Sequence, residues 1–240
     1  MKVFFIHKKY WIRAVTLLLV AGLLATGAAL LFPKSETTGA ETTTPQPYRS
    51  GDPDSEKISL AINVDWGEEY IPDLLQVLAD NGVHATFFLT GRWSNLHPDI
   101  AADIAAAGHE LGNHGYSHAS PNASSREEII EEIQRTQNAI EKATGIVTCL
   151  YAPPSGEEEP HVLEAAASVG YFTTLWSVDT IDWQKPDAAT IIERVKNKIH
   201  GGAIILAHPT ASTVEAFQSL IKDLKEEGYT FVTVSDNLGL

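Results

Sequence analysis

Two histidines stand four residues apart in the stretch Leu111-Gly112-Asn113-His114-Gly115-Tyr116-Ser117-His118. The stretch begins like the end of a β-strand, so that a turn after it can bring His114 and His118 to one point. A neutral imidazole is the commonest side-chain ligand of transition metals, and a catalytic zinc site typically uses three protein ligands and one water. The spacing therefore predicts a metal site, although two surface histidines of a loop would show the same pattern.

Further acids and a third histidine follow strand-like runs elsewhere in the chain. Asp65 ends an early apolar run, Asp179 and Asp182 end a later one, and His208 ends another. In α/β barrels the active site lies at the carboxyl ends of the strands. We therefore expect these side chains to share one site with the two histidines.

Strand-like and helix-like segments alternate along the chain from Lys57 onward. The predicted strands span 58–64, 83–89, 110–113, 148–152, 171–178, 203–207 and 229–234. The predicted helices begin near residues 71, 98, 126, 160, 187 and 213, and Ser124 and Ser125 offer overlapping capping boxes for the third of them. This alternation predicts parallel β-α units, arranged as an open sheet or as a barrel.

The amino-terminal part of the chain has a different composition. Residues 1–33 form a basic stub followed by an uncharged apolar stretch from Ala14 to Phe32, which is long enough to cross a bilayer as a helix. The basic flank predicts a cytoplasmic amino terminus and an extracytoplasmic domain, and cleavage after small residues near Ala28 is the alternative, which would release a secreted protein. Residues 34–56 are polar and predict a disordered linker, so that the folded domain spans 57–240.

Charge and cysteine content restrict the partners of this domain. Twelve of the 17 Lys and Arg residues and all 31 Asp and Glu residues lie after residue 34, which leaves that part with a net charge of −19. Such a domain repels nucleic acid and acidic polymers unless a local patch compensates. Cys149 is the only cysteine, so that no intrachain disulfide can form, and its apolar neighbours predict that it is buried.

Five segments of the domain carry motifs in a recognisable order. They are Ala85–Gly91, Gly108–His118, Pro153–Gly156, Trp176–Trp183 and Leu206–His208. Together they resemble the second strand, the H-x-x-x-H, R-P-P-Y-G, D-x-x-D-W and L-x-H motifs of the NodB-type polysaccharide deacetylases, carbohydrate esterase family 4. The resemblance covers the chain from about Lys57 to its end and implies a deformed (β/α)7 barrel, which one transmembrane helix would precede here.

The resemblance also implies an activity and a cofactor. Its enzymes are hydrolases that act on carbon–nitrogen bonds other than peptide bonds, and they remove acetyl groups from N-acetyl sugars of peptidoglycan, chitin or related polymers with a divalent metal, usually zinc. The metal polarises the amide carbonyl and lowers the pKa of its bound water, while a carboxylate takes the proton of that water. Backbone N–H groups stabilise the oxyanion, and a histidine protonates the leaving amine.

Motif positions assign a role to each candidate residue. The resemblance implies that His114 and His118 bind the metal, that His208 is the general acid and that Asp182 orients it. It further implies an oxyanion-hole N–H and an apolar wall around the acetyl methyl. By the same resemblance, Ser155 offers the oxyanion-hole N–H, and Trp183 and Leu206 form the apolar wall.

The first motif departs from the family pattern F-D-D-G, in which the first Asp is the base and the second is a metal ligand. Here the corresponding stretch is Asn63-Val64-Asp65-Trp66-Gly67. Without a gap, Asp65 is the base and Trp66 replaces the ligand; with a shift of two, Asn63 replaces the base and Asp65 lies near the metal. Strand alternation allows both registers, because a shift of two keeps the same residues on the same face.

A second departure is Ala152, which stands where the family has the Arg that steadies the base. An Arg is less needed where its carboxylate is gone, which favours the shifted register. Similar first-motif changes occur in a sporulation-associated branch of the family. The sequence therefore predicts a membrane-tethered, monomeric deacetylase of a cell-wall glycan that binds no nucleic acid. The alternative is a catalytically impaired glycan-binding or scaffold protein that retains the fold.

Overall fold

The computed structural model describes residues 45–240, which form eight strands and eight α-helices. The strands are β1 Lys57–Val64, β2 Thr86–Leu89, β3 Glu110–Asn113, β4 Leu150–Tyr151, β5 Phe172–Thr173, β6 Val178–Asp179, β7 Ile204–Ala207 and β8 Thr230–Val232. The helices are α1 Ile71–Asp80, α2 Gly91–Leu96, α3 Pro98–Ala106, α4 Arg126–Thr144, α5 Pro160–Ser168, α6 Ala188–Lys196, α7 Ala211–Glu226 and α8 Val234–Leu238.

The strands form one parallel sheet in the order β5-β4-β3-β2-β1-β7-β6, and β8 pairs with the beginning of β1. Strand β1 lies in the middle and is buried along its length after Lys57, as expected for a parallel strand covered on both faces. Even-numbered residues of β1 pack under the helices, whereas Ala61 lies in the barrel interior with Phe88 and Ile204. The predicted α/β architecture is therefore confirmed as a half-barrel of parallel strands.

The predicted strand over 171–178 is wrong in one respect, because the chain forms two short strands there. Strand β5 pairs with β4 and β6 pairs with β7, so that the two ends of the sheet are separated by only four residues of chain. This separation gives the sheet the curvature of an incomplete barrel. We call the gap between β5 and β6, at which strand pairing stops, the seam.

The seam is bordered by a segment that we predicted to be disordered. Tyr48 forms a bridge with Thr174, and Ser50 forms one with Ala203. Gly202 lies against the backbone of this segment so closely that a Cβ there would come within 2.6 Å of Gly51. The predicted linker is therefore wrong for residues 45–56, because their backbone groups pair with the sheet; residues 34–44 lie outside the described part.

Helix ends follow the predicted signals. Ser125 caps α4 in a capping box with Glu128, and Gly145 ends it with a positive φ of 75°. Two short helices, α2 and α8, were not predicted. Cys149 precedes β4 and is exposed, so that the prediction of a buried cysteine is wrong. Within residues 45–240 no helix is both long and apolar enough to cross a membrane, and the predicted span 14–32 lies outside the described residues.

Candidate active site

One cleft of about 500 Å³ lies at the carboxyl ends of the strands and collects nearly all of the predicted site residues. The predicted residues that line it are Asp65, His114, His118, Ser155, Trp183, Leu206 and His208. Asp182 lies directly behind His208. Loops that follow different parallel strands meet at this edge, which explains why residues far apart in sequence share one site.

His208 and Asp182 form a fixed pair. The Nδ1 atom of His208 lies 2.8 Å from Oδ1 of Asp182, and the backbone N–H of His208 donates to Oδ2 at 2.6 Å. The hydroxyl of Thr213 donates to the same Oδ2 at 2.7 Å, and the carboxylate is fully buried. Because an ionised carboxylate only accepts, Nδ1 of His208 carries a proton and its Nε2 is left for the cleft.

His114 and His118 stand next to each other, with ring centroids 5.0 Å apart. Nδ1 of His114 lies 2.7 Å from the carbonyl oxygen of Ala152, so that it carries the proton and Nε2 is the free nitrogen. Burial, together with a smaller effect of the neighbouring His118, lowers the pKa of His114 to about 3. His114 is therefore neutral at physiological pH, which is the form that binds a metal.

Asp65 is bound by two side chains, those of Arg92 and Thr90, that were not predicted as site residues. The Nη2 atom of Arg92 donates to both oxygens of the carboxylate, at 3.0 and 2.8 Å. The hydroxyl of Thr90 donates to Oδ1 at 2.8 Å. Both donors follow β2, the neighbour of β1 in the sheet. Asp65 therefore has an arginine partner even though Ala152 occupies the position where the family has its Arg, which removes the argument that favoured the shifted register.

Trp66 lies beside the pair of His208 and Asp182. Its ring is stacked parallel to that of His208, with centroids 5.9 Å apart and an angle of 4° between the planes. The indole has no group that can ligate a metal, and Gly67 after it turns with a φ of 84° close to Pro209. Trp66 thus covers one face of the His208 ring.

A three-ligand metal site is not formed by the residues 45–240. No group of three His, Cys, Asp or Glu side chains there is arranged to hold a metal ion. His114 is present in a suitable tautomer with His118 beside it, but Asp65 is engaged with Arg92, and the next position is Trp66. The predicted ligand set of His114, His118 and Asp65 therefore does not fit a three-ligand site as it stands.

Ser155 lies in a tight turn with strained backbone geometry. It has a φ of 58° and a ψ of 11°, which is a left-handed backbone conformation that residues other than glycine rarely adopt. Gly156 after it has a φ of 68°, and a Cβ there would come within 2.6 Å of Trp176. Strain of this kind costs about 1–3 kcal/mol and concentrates at functional sites. The turn holds Ser155 at the wall of the cleft.

The amide of Asn63 also lines the cleft. The residue is 6% exposed, and its Oδ1 has no hydrogen-bond partner within the described part of the chain. Burying an unpaired polar oxygen is unfavourable, so that the Asn63 side chain lowers the stability of the fold.

Comparison with known proteins agrees with these geometric observations. The family model for polysaccharide deacetylase matches residues 51–174, just over half of the chain. This chain belongs to the polysaccharide deacetylase family. The matched range includes Asp65, His114, His118 and Ser155. Asp182 and His208 lie beyond it.

The polysaccharide deacetylase relatives include both named enzymes and a protein described as inactive. A peptidoglycan-N-acetylglucosamine deacetylase of Bacillus cereus is 34% identical over 74% of this chain and 67% of its own length. An uncharacterised Bacillus subtilis protein, YlxY, is 41% identical over 82% of this chain, which spans 61% of the length of YlxY. A crystal structure of a CE4 family pseudoenzyme from Bacillus anthracis superposes with a TM-score of 0.79 at 41% identity, covering 81% of this chain and 69% of its own.

Membership of the polysaccharide deacetylase family supports a hydrolase that acts on carbon–nitrogen bonds other than peptide bonds. Deacetylases of this family are generally metal-dependent. A mutant of the Bacillus anthracis pseudoenzyme is described as having restored enzymatic activity, and its structure is 40% identical to this chain with a TM-score of 0.79. The fold of that pseudoenzyme is therefore compatible with activity once the protein is mutated.

Proposed function

We propose that this domain binds an N-acetylated cell-wall glycan of the peptidoglycan type and hydrolyses its N-acetyl groups. The observation that carries the proposal is that the pair of His208 and Asp182 opens into the same cleft as Asp65 and the two imidazoles. Relatives named peptidoglycan deacetylases support the choice of glycan.

Each residue of the cleft has a defined task in this reaction. Asp65 accepts a proton from the attacking water, and Arg92 holds its carboxylate in position. Ser155 offers its backbone N–H to the oxyanion. His208, oriented by Asp182, is doubly protonated when it gives the proton on Nε2 to the departing amine, and the proton that Asp65 took from the water restores it. Trp183 and Leu206 wall the acetyl methyl; they are 53% and 4% exposed, respectively.

The metal part of the proposal concerns His114 and His118. These two imidazoles would hold a divalent ion, which we propose to be zinc and which, when bound, supplies Lewis-acid polarisation of the carbonyl. The third ligand that the sequence suggested, Asp65, would have to give up Arg92 in order to contribute. Metal binding is therefore expected to be weak in the native chain, and deacetylation slow.

A second function, glycan binding without turnover, is favoured by the aromatic lining of the cleft. Three of the five tryptophans of the chain line it, namely Trp66, Trp176 and Trp183. Indole rings offer apolar faces on which sugar rings can stack, and Trp66 occupies the position at which an ungapped motif would place a metal ligand. Under this reading the cleft recognises the glycan, and the remaining catalytic groups are not used.

Measurement of acetate release separates the two functions. The full-length chain is incubated with zinc and with acetylated peptidoglycan or chitooligosaccharides, and glycan binding is measured in parallel. If the protein hydrolyses the glycan, acetate release is expected to be lost in His208→Ala and to fall by roughly 10²–10⁴-fold in Asp65→Asn. Binding with no acetate from any protein selects the second function, and the absence of both refutes the two together.

We also propose a location and an assembly state. The uncharged span 14–32 and its basic flank support a single-pass anchor in the cell membrane with the domain outside, or a secreted domain if the span is cleaved. The net charge of −19 after residue 34 supports the absence of a nucleic-acid partner. We propose that the protein is a monomer.

A further inference from the structure

A polar groove of about 260 Å³ lies beside α2 and α4, apart from the cleft described above. An aromatic ring, two side-chain amides and two cations line it. These residues are Tyr116, Asn95, Asn138, Arg135 and Lys142. None of them has a task in the proposed reaction.

The groove is held in place by its own contacts. The guanidinium carbon of Arg135 lies 3.8 Å from the ring centroid of Tyr116. The hydroxyl of Tyr116 accepts a hydrogen bond from Nδ2 of Asn95 at 3.4 Å. The ring also lies against the backbone of Gly91, where a Cβ would come within 2.4 Å of it. Arg135 is thereby ordered before any ligand arrives, which reduces the entropy lost on binding.

The two cations of the groove are available to an anion. Among residues 45–240, Lys142 has no ion-pair partner, and Arg135 is paired only with Glu131, at 3.7 Å. Both members of that pair are about half or more exposed, and such pairs contribute little. The part of the chain after residue 34 has 31 acids and only 12 cations, so that two cations in one groove, only one of which has an ion-pair partner among residues 45–240, are a local exception.

The groove and the active-site cleft are bordered by the same two segments, α2 and the loop after β3. Arg92, which binds Asp65 in the cleft, stands three residues before Asn95 in α2, about 4.5 Å of helix rise. Tyr116 follows His114 by two residues, and its carbonyl accepts from the backbone N–H of Arg92 at 2.9 Å. A polymer that lies in the cleft and crosses the first turn of α2 therefore reaches Tyr116 and Arg135.

We propose that this groove binds carboxylate groups that project from a glycan strand held in the cleft. The inference rests on the proposed function and narrows its substrate from any N-acetylated glycan to an acidic one, with lactyl or peptide carboxylates. An arginine fork binds carboxylates through paired hydrogen bonds, and Lys142 and the amides of Asn95 and Asn138 add donors. A neutral N-acetylglucosamine polymer makes none of these charge-assisted contacts.

The test compares two tetrasaccharides that carry the same number of acetamido groups. One alternates N-acetylglucosamine with N-acetylmuramic acid and has lactyl carboxylates; the other is neutral chitotetraose. Binding to the full-length chain in detergent is measured for the wild type and for the double variant Arg135→Gln/Lys142→Gln. The control is Lys198→Gln/Lys222→Gln, which removes the same charge from α7 and from the turn after α6.

The wild type is expected to prefer the acidic tetrasaccharide. The groove variant should lose roughly tenfold in affinity for it, while its affinity for chitotetraose, which also reports correct folding, stays unchanged. The control variant should keep the preference. Equal affinity of the wild type for both sugars would overturn the proposal that the groove binds carboxylates. An equal loss of affinity in the groove and control variants would overturn it as well. Failure of the wild type to bind either sugar refutes the proposed function and, with it, this inference.

Discussion

At the scale of single residues, Trp66 and Arg92 set what the cleft can do. Arg92 gives Asp65 a cation from α2, so that the loss of the family's Arg at Ala152 does not leave the carboxylate alone. Trp66 has the opposite effect, because a stacked indole takes the place of an oxygen donor near two imidazoles. Under the proposed function the native chain therefore keeps the acid and the base and lacks a metal ligand.

Trp66→Asp is expected to supply that ligand. A carboxylate beside His114 and His118 completes a three-donor set, as in catalytic zinc sites. Zinc affinity should rise by at least about tenfold, since the loss of even an outer-shell partner costs that much, and acetate release should rise with it. Metal content after dialysis and acetate release are the measurements.

The matched control is Trp66→Asn, which removes the same indole but supplies a neutral amide. If the two variants retain equal zinc and release equal acetate, the missing-ligand account of Trp66 is wrong. A chelator added to Trp66→Asp should reduce its acetate release to the level of the native chain.

The sequence predicted which residues share the site but not which atoms they contact. The predicted contact between Asp182 and His208 is present, because the two residues follow strands that are neighbours in the sheet. Arg92 was missed because its role depends on β2 lying beside β1, which is a fact of sheet order. The two registers of the first motif differ only in contacts, so that strand periodicity had no means of separating them.

At the scale of elements, local signals predicted helix ends better than strand ends. Helix α4 begins and ends where its cap and its glycine indicate, because capping is satisfied within a few residues. The run 171–178 has the pattern of one strand, yet the structure divides it into β5 and β6, which lie at opposite ends of the strand order. Composition likewise could not show that residues 45–56 pair with the seam, since those bonds are formed by backbone groups.

The capping box of α4 offers a test at this scale. The hydroxyl of Ser125 accepts from the backbone N–H of Glu128, whereas that of Ser124 donates to the carbonyl of Ser120. Ser125→Ala should therefore lower the free energy of unfolding by about 1 kcal/mol, and Ser124→Ala by less. Urea denaturation of both variants measures this difference. A larger loss in Ser124→Ala would mean that the first of the two overlapping boxes is the one in use.

At the scale of the whole molecule, charge is divided between the two parts of the chain. Residues 1–34 carry five cations and no acid, whereas the remainder carries a net −19. An anionic domain is repelled by anionic lipid and by acidic polymers at long range, so that binding of an acidic glycan depends on local cations such as those of the groove. A tether that holds the domain near the cell wall would offset this repulsion by raising the local concentration.

The final prediction concerns that tether. The stretch 14–32 has no charged residue, and the four cations before it favour retention of the amino terminus in the cytoplasm. The full-length chain should therefore sediment with membranes, and protease added outside intact cells stripped of wall should digest the domain. Leu23→Arg/Leu24→Arg places two charges in the middle of the span, each costing about 3 kcal/mol for insertion, and should abolish both results. Leu23→Ala/Leu24→Ala, with no added charge, is the control. Recovery of the untrimmed native chain from the soluble cytosol would contradict the anchor, and release of a trimmed chain to the medium would select cleavage.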